Sequence, residues 1–145
     1  MIKFFKIFFF IFFLFSFSNI GKTKESFFNE GVKLFDAKKY DDAKFLLERS
    51  IVFDPKHANS YLYLAKIYKK KDDQKKEEKN LQTTLLIDPL NEEAILMLMQ
   101  IGIKKSNYSK VKELSERFTK VCKNLCKENK KILQDLKNLE PKNES

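Results

Sequence analysis

The sequence holds one histidine, two cysteines, three glycines and three prolines among 145 residues. With His57 as its only imidazole, the chain lacks the usual material for acid–base or nucleophilic catalysis. No glycine-rich phosphate loop follows a strand. No set of histidines, cysteines and carboxylates has metal-site spacing, and Cys122 and Cys126 lack the further ligands that a zinc site needs. Few glycines and prolines leave little room for long irregular loops. Alternating runs of valine, isoleucine and threonine are absent, which argues against a sheet. These absences define an all-α chain for which no enzymatic activity, cofactor or metal is expected.

Charge is plentiful. Lysine and arginine number 29 against 20 acidic residues, for a formal net charge of +9 and a pI near 9.4. A basic balance fits nucleic acid, an anionic membrane or an acidic protein. The acidic residues are interspersed among the basic ones, and no basic stripe alternates with stacking aromatics, so nucleic acid is not expected. The N-terminus has its own character. Lys3 and Lys6 precede an unbroken apolar run, Ile7 to Phe15, and then the small residues Ser16 and Ser18. That is the layout of a secretory signal peptide, cut after Ser18 or, as second choice, after Gly21. The alternative is an uncleaved anchor over residues 4–20, against the roughly 20 apolar residues a full span needs. Either reading exports the remainder, to the periplasm or beyond. The chain then divides into residues 1–21 as signal or anchor, 24–140 as the helical domain and 141–145 as a disordered tail.

Within the domain, Pro55 and Pro89 stand 34 residues apart and close the same pattern. Gly31, Leu34, Tyr40, Ala43, Leu47 and Ser50 precede the first. Ala65, Tyr68, Gln74, Glu77, Leu81 and Thr84 hold the matching offsets before the second. A period of this length marks stacked helix pairs. The pattern resembles the tetratricopeptide-repeat family, in which each unit is two antiparallel helices, A and B, with small residues where they cross. The resemblance implies units at Lys24–His57, Ala58–Asn91 and a degenerate Glu92–Leu125. In the third, Met99 takes the small position and Gly102 falls where a large residue is usual. Glu77 stands where the family favours alanine, which puts the start of that helix in question. Asn91 and Ser106-Asn107 are the capping residues available to the third pair. From Val111 onward apolar residues recur at helical spacing, with one turn dropped at Glu128–Asn129. A bend near Lys123–Lys130 and a closing helix to about Leu139 are therefore expected, the helix hiding the array's last apolar surface. The implied architecture is a right-handed solenoid of antiparallel helix pairs.

The resemblance also implies a function: a scaffold or adaptor that binds a partner segment in the groove lined by the A helices. Carried over position by position, the groove takes Phe28, Val32 and Phe35 from the first unit. Asn59, Leu62, Lys66, Lys69 and Lys70 come from the second, and Leu96 and Gln100 from the third. Such a groove suits a protein or peptide with apolar anchors and an acidic group. A membrane-anchored assembly subunit using the same groove is the alternative. Cys122 and Cys126 have two readings. In an oxidising compartment they form a disulfide that stabilises a bend; otherwise they are small apolar residues on a continuous helical stripe.

Overall fold

The computed structural model describes residues 20–139, so the expected signal segment up to residue 19 and the tail from residue 140 lie outside the described residues. Seven helices account for nearly all of this span. They are α1 (Ile20–Asp36), α2 (Tyr40–Phe53), α3 (Ala58–Lys70), α4 (Gln74–Ile87), α5 (Glu92–Lys104), α6 (Tyr108–Val121) and α7 (Cys126–Leu139). Among the described residues there is no strand, and no helix is long and apolar enough to cross a membrane. The chain forms two compact units, one ending at Pro55 and the other beginning at Lys56. Helices α1 and α2 pair in the first; α3 to α7 make up the second.

The 34-residue period appears in the backbone itself. A-helices begin at Ala58, Glu92 and Cys126, and B-helices at Tyr40, Gln74 and Tyr108. Each A-to-B turn places one residue in the left-handed region, Lys38, Asp72 and Ser106, at φ of 60°, 55° and 54°. The same bond closes each turn: Lys39 N–H to Leu34 O, Asp73 N–H to Tyr68 O and Asn107 N–H to Gly102 O, at 2.8 to 3.0 Å. This satisfies a carbonyl that the helix end leaves without a partner. Asp73, Asn91 and Asn107 cap α4, α5 and α6 through their side chains.

The third pair is degenerate in residue type but regular in packing. Gly31, Ala65 and Met99 are equivalent, and all three are buried. In the third pair the enlargement at Met99 is matched by Gly102, in the position that Tyr68 holds one unit earlier. Likewise Leu47 and Leu81 give way to Ser115, while Ser50 and Thr84 give way to Phe118, and all of these are buried too. Large and small residues have exchanged places, which keeps the volume between the helices filled.

One sequence expectation changes and another is refined. Glu77 does not unsettle its helix: α4 starts at Gln74, capped by Asp73, with Glu77 buried in its first turn. The closing helix is present as expected, and it falls in register with the repeat, because α7 begins where a fourth A-helix should. Its dropped apolar position is Asn129, buried and hydrogen-bonded to Ser115 Oγ at 2.9 Å and Thr119 Oγ1 at 3.0 Å.

Candidate functional site

Residues Lys56 to Leu139 carry the groove positions expected from the second and third repeats. Helices α3 and α5 are linked there by two side-chain contacts. Lys66 Nζ lies 2.8 Å from Glu93 Oε2 and 4.4 Å from the centre of the Tyr63 ring. Lys69 Nζ donates to Gln100 Oε1 at 2.8 Å. Lys66, Lys69 and Gln100, expected groove residues from separate units, therefore share one surface with Glu93. Asn59, Lys69, Lys70, Gln100 and Lys104 are exposed there.

The apolar members behave differently. Leu62 and Leu96 retain only 5% and 6% of their surface. Leu96 belongs to the buried cluster that includes Ile132 and Leu136 of α7, and Ile103 packs against the same cluster. The helix in the fourth A position thus consumes the apolar part of the third unit's groove face. Leu62 packs with Ala65, Leu81, Ala94, Met97 and Ile101. The expected apolar anchors on this face are core residues, and what faces solvent is mainly amide and ammonium.

The residues expected from the first unit lie on α1. Phe28, Val32 and Phe35 are each half-buried, and Phe35 packs against Tyr40 at the start of α2, with ring centres 5.6 Å apart.

Two acids shape the second unit's face, and their roles were not legible in the sequence. Glu77 keeps only 5% of its surface, and burial pushes its carboxyl above the usual value. The charges of Lys69 and Lys104 act in the opposite direction. Glu92, the first residue of α5, holds the turn before α7. Its carboxylate accepts from the N–H groups of Leu125 at 2.8 Å, Lys123 at 2.9 Å and Asn124 at 3.1 Å. Those bonds, that of Leu125 foremost, pull its carboxyl below the usual value. Cys122 and Cys126 flank the same turn and are joined by a disulfide, with Cα atoms 5.3 Å apart. Leu125 and Asn124 border a depression that also touches Asn59, Leu62 and Glu93. The turn therefore forms one end of the α3/α5 face. Among the described residues, no group of three or more histidines, cysteines or carboxylates could hold a metal.

These helix pairs define a tetratricopeptide-type fold. Solved structures with this architecture include a Yersinia enterocolitica type III secretion chaperone, SycD, in complex with a peptide of the translocator YopD. It is 13% identical, the match covers 81% of this chain and 94% of that one, and the TM-score is 0.73. The first such domain of Spaghetti (RPAP3), bound to an HSP90 peptide, is 18% identical over 80% and 94% of the two chains, with a TM-score of 0.68. The corresponding domain of Sgt2 from Aspergillus fumigatus is 18% identical over 79% and 77%, with a TM-score of 0.66. No protein-family model matches the chain, and no curated protein matches it by sequence.

Proposed function

We propose that this protein is a non-enzymatic, exported interaction module that binds a segment of another protein on the α3/α5 face. The observation that carries the reading is the pairing of Lys66 with Glu93 and of Lys69 with Gln100, which links α3 to α5 along one surface and supports the expected groove. Two of the structurally similar proteins were solved with peptides bound, which supports a peptide-binding use of the fold. The apolar residues of this face are largely internal, so recognition depends on Asn59, Gln100 and the lysines. Lys66 is already neutralised by Glu93. Lys69, Lys70 and Lys104 provide the attraction for an acidic segment.

Exposed charges of this kind contribute little singly and act mainly through encounter rate and salt dependence. The test therefore uses Lys69→Glu and Lys70→Glu together. A partner is captured from the protein's native cells with the wild-type chain, and its affinity is measured for both forms at low and physiological salt. The double variant should bind more weakly, most clearly at low salt, with an unchanged melting curve. Equal affinity at low salt would remove this face from the reading.

A further inference from the structure

The second unit has another concavity, on the side of α5 away from the face just described. Helices α4 and α6 flank a cleft of about 350 Å³, and α5 forms its floor. At 100° per residue, the floor residues Leu98, Ile101 and Gly102 lie almost opposite Glu93, Leu96 and Gln100 on α5. The walls are aliphatic, with Leu85 and Leu86 from α4 and Leu114 from α6. Leu86 is 82% exposed at the edge. The volume lies at the lower end of the range for ligand-sized sites, which begins at about 300 Å³.

The polar rim is unbalanced. Lys105, Lys110 and Arg117 line it against a single carboxylate, Glu78. Glu78 is taken by Lys105, and Lys110 pairs with Glu113. Arg117 donates to the carbonyl oxygen of Pro89 and has no carboxylate partner among the described residues. A guanidinium beside an aliphatic cleft presents a planar pair of donors to an incoming carboxylate. We propose that this cleft is a second docking site, for a short acidic segment of a partner protein. A leucine-type side chain enters between α4 and α6, and a neighbouring aspartate or glutamate meets Arg117. The site uses none of the residues named on the α3/α5 face and stands whether or not that face binds.

The probe is a fluorescein-labelled, amidated peptide in which Glu-Asp-Leu-Leu is repeated three times. Fluorescence anisotropy with the full chain should show saturable binding, and the same peptide with lysine at every acidic position should show none. Because one charge-assisted contact is lost, Arg117→Glu should weaken binding at least about tenfold. Leu86→Glu should weaken it too, and at so exposed a position the substitution leaves folding intact. It therefore decides the matter if Arg117→Glu unfolds the chain. The Lys69→Glu/Lys70→Glu variant, which removes the lysines that draw an acidic segment to the α3/α5 face, should still bind the probe saturably, and in that background Arg117→Glu and Leu86→Glu should weaken what remains. No saturable binding, equal binding of the lysine peptide, full affinity in the Leu86→Glu variant, or loss of binding in the Lys69/Lys70 variant would each overturn the assignment.

Discussion

Replacing Gly102 with alanine is expected to destabilise this protein, although the same change in an ordinary helix interior gains about 1 kcal/mol. Gly102 lies within α5 where α6 comes closest. A Cβ built there stands 2.7 Å from Cγ2 of Val111, well inside van der Waals contact. Val111 is fully buried and β-branched, so its methyl cannot swing aside and the two helices must part instead. Overpacking of this kind costs about 1–3 kcal/mol, which outweighs the helix gain and leaves a net loss of about 1 kcal/mol. Urea denaturation followed by far-UV circular dichroism reads the difference as a lower midpoint at constant slope. A double-mutant cycle with Val111→Ala isolates the cause, since removing that methyl should make Gly102→Ala favourable and give a coupling of about 1–2 kcal/mol. Gly31 supplies the internal contrast. There an added Cβ meets Leu47 at 3.1 Å (Cγ) and 3.2 Å (Cδ2), and Gly31→Ala should be close to neutral because leucine can shift by a few tenths of an ångström. A Gly102→Ala midpoint at or above wild type, or zero coupling to Val111, would refute the proposed close approach of α5 and α6.

Two further predictions concern the acids. The carboxyl of Glu77 is raised above 4.5 by burial, so it favours the folded state most when protonated. That contribution is complete below pH 4.5 and is lost as pH rises through the raised value. Glu77→Gln should therefore raise the melting temperature at pH 7 and make little difference in acid; an equal shift at both pH values would count against the assignment. Glu92 has the opposite sign. Its lowered carboxyl contributes above 4.5 and loses its effect as pH falls through the depressed value. Glu92→Gln should speed amide exchange at Lys123 and Leu125 near neutral pH, and unchanged protection would show that the carboxylate does not hold the turn.

The fold was largely legible because helix crossings demand small residues at fixed intervals. Gly31, Ala43 and Ala65 reveal the first two units directly. The third unit obeys the same spatial demand with its residues exchanged: Met99 and Gly102, Ser115 and Phe118. A pattern written in residue types misses such an exchange, since only the combined volume across the interface is constrained. The α3/α5 face was half legible. Lys69 and Gln100 meet as their spacing implies, because side chains on neighbouring A-helices are brought together by the helical repeat alone. Leu62 and Leu96 are internal, and nothing local in the sequence distinguishes a leucine facing a partner from one facing another helix. For Leu96 the decision is made by Ile132 and Leu136, more than 30 residues further along the chain.

The turn before α7 shows how one position in a repeat can be met by different chemistry. The second unit makes this turn with Asp88-Pro89, where Pro89 stops the helix and the Asp88 carboxylate accepts from Leu90 N–H at 3.2 Å and Asn91 Nδ2 at 3.1 Å. One period later the residues are Cys122 and Lys123, and neither the proline nor the local carboxylate is present. Both tasks are still carried out. The carboxylate comes from Glu92, more than 30 residues earlier, which binds the three N–H groups of Lys123, Asn124 and Leu125. The constraint on the chain comes from the Cys122–Cys126 bond, which joins the residue after α6 to the first residue of α7. A proline limits the unfolded and folded chain alike by fixing φ, and a disulfide does so by closing a loop. The substitution also changes what the turn depends on. A proline turn holds under any redox condition, whereas this one is held by an oxidised cysteine pair and by the Glu92 carboxylate. Because the turn borders the depression shared with Asn59 and Leu62, the end of the α3/α5 face inherits that dependence.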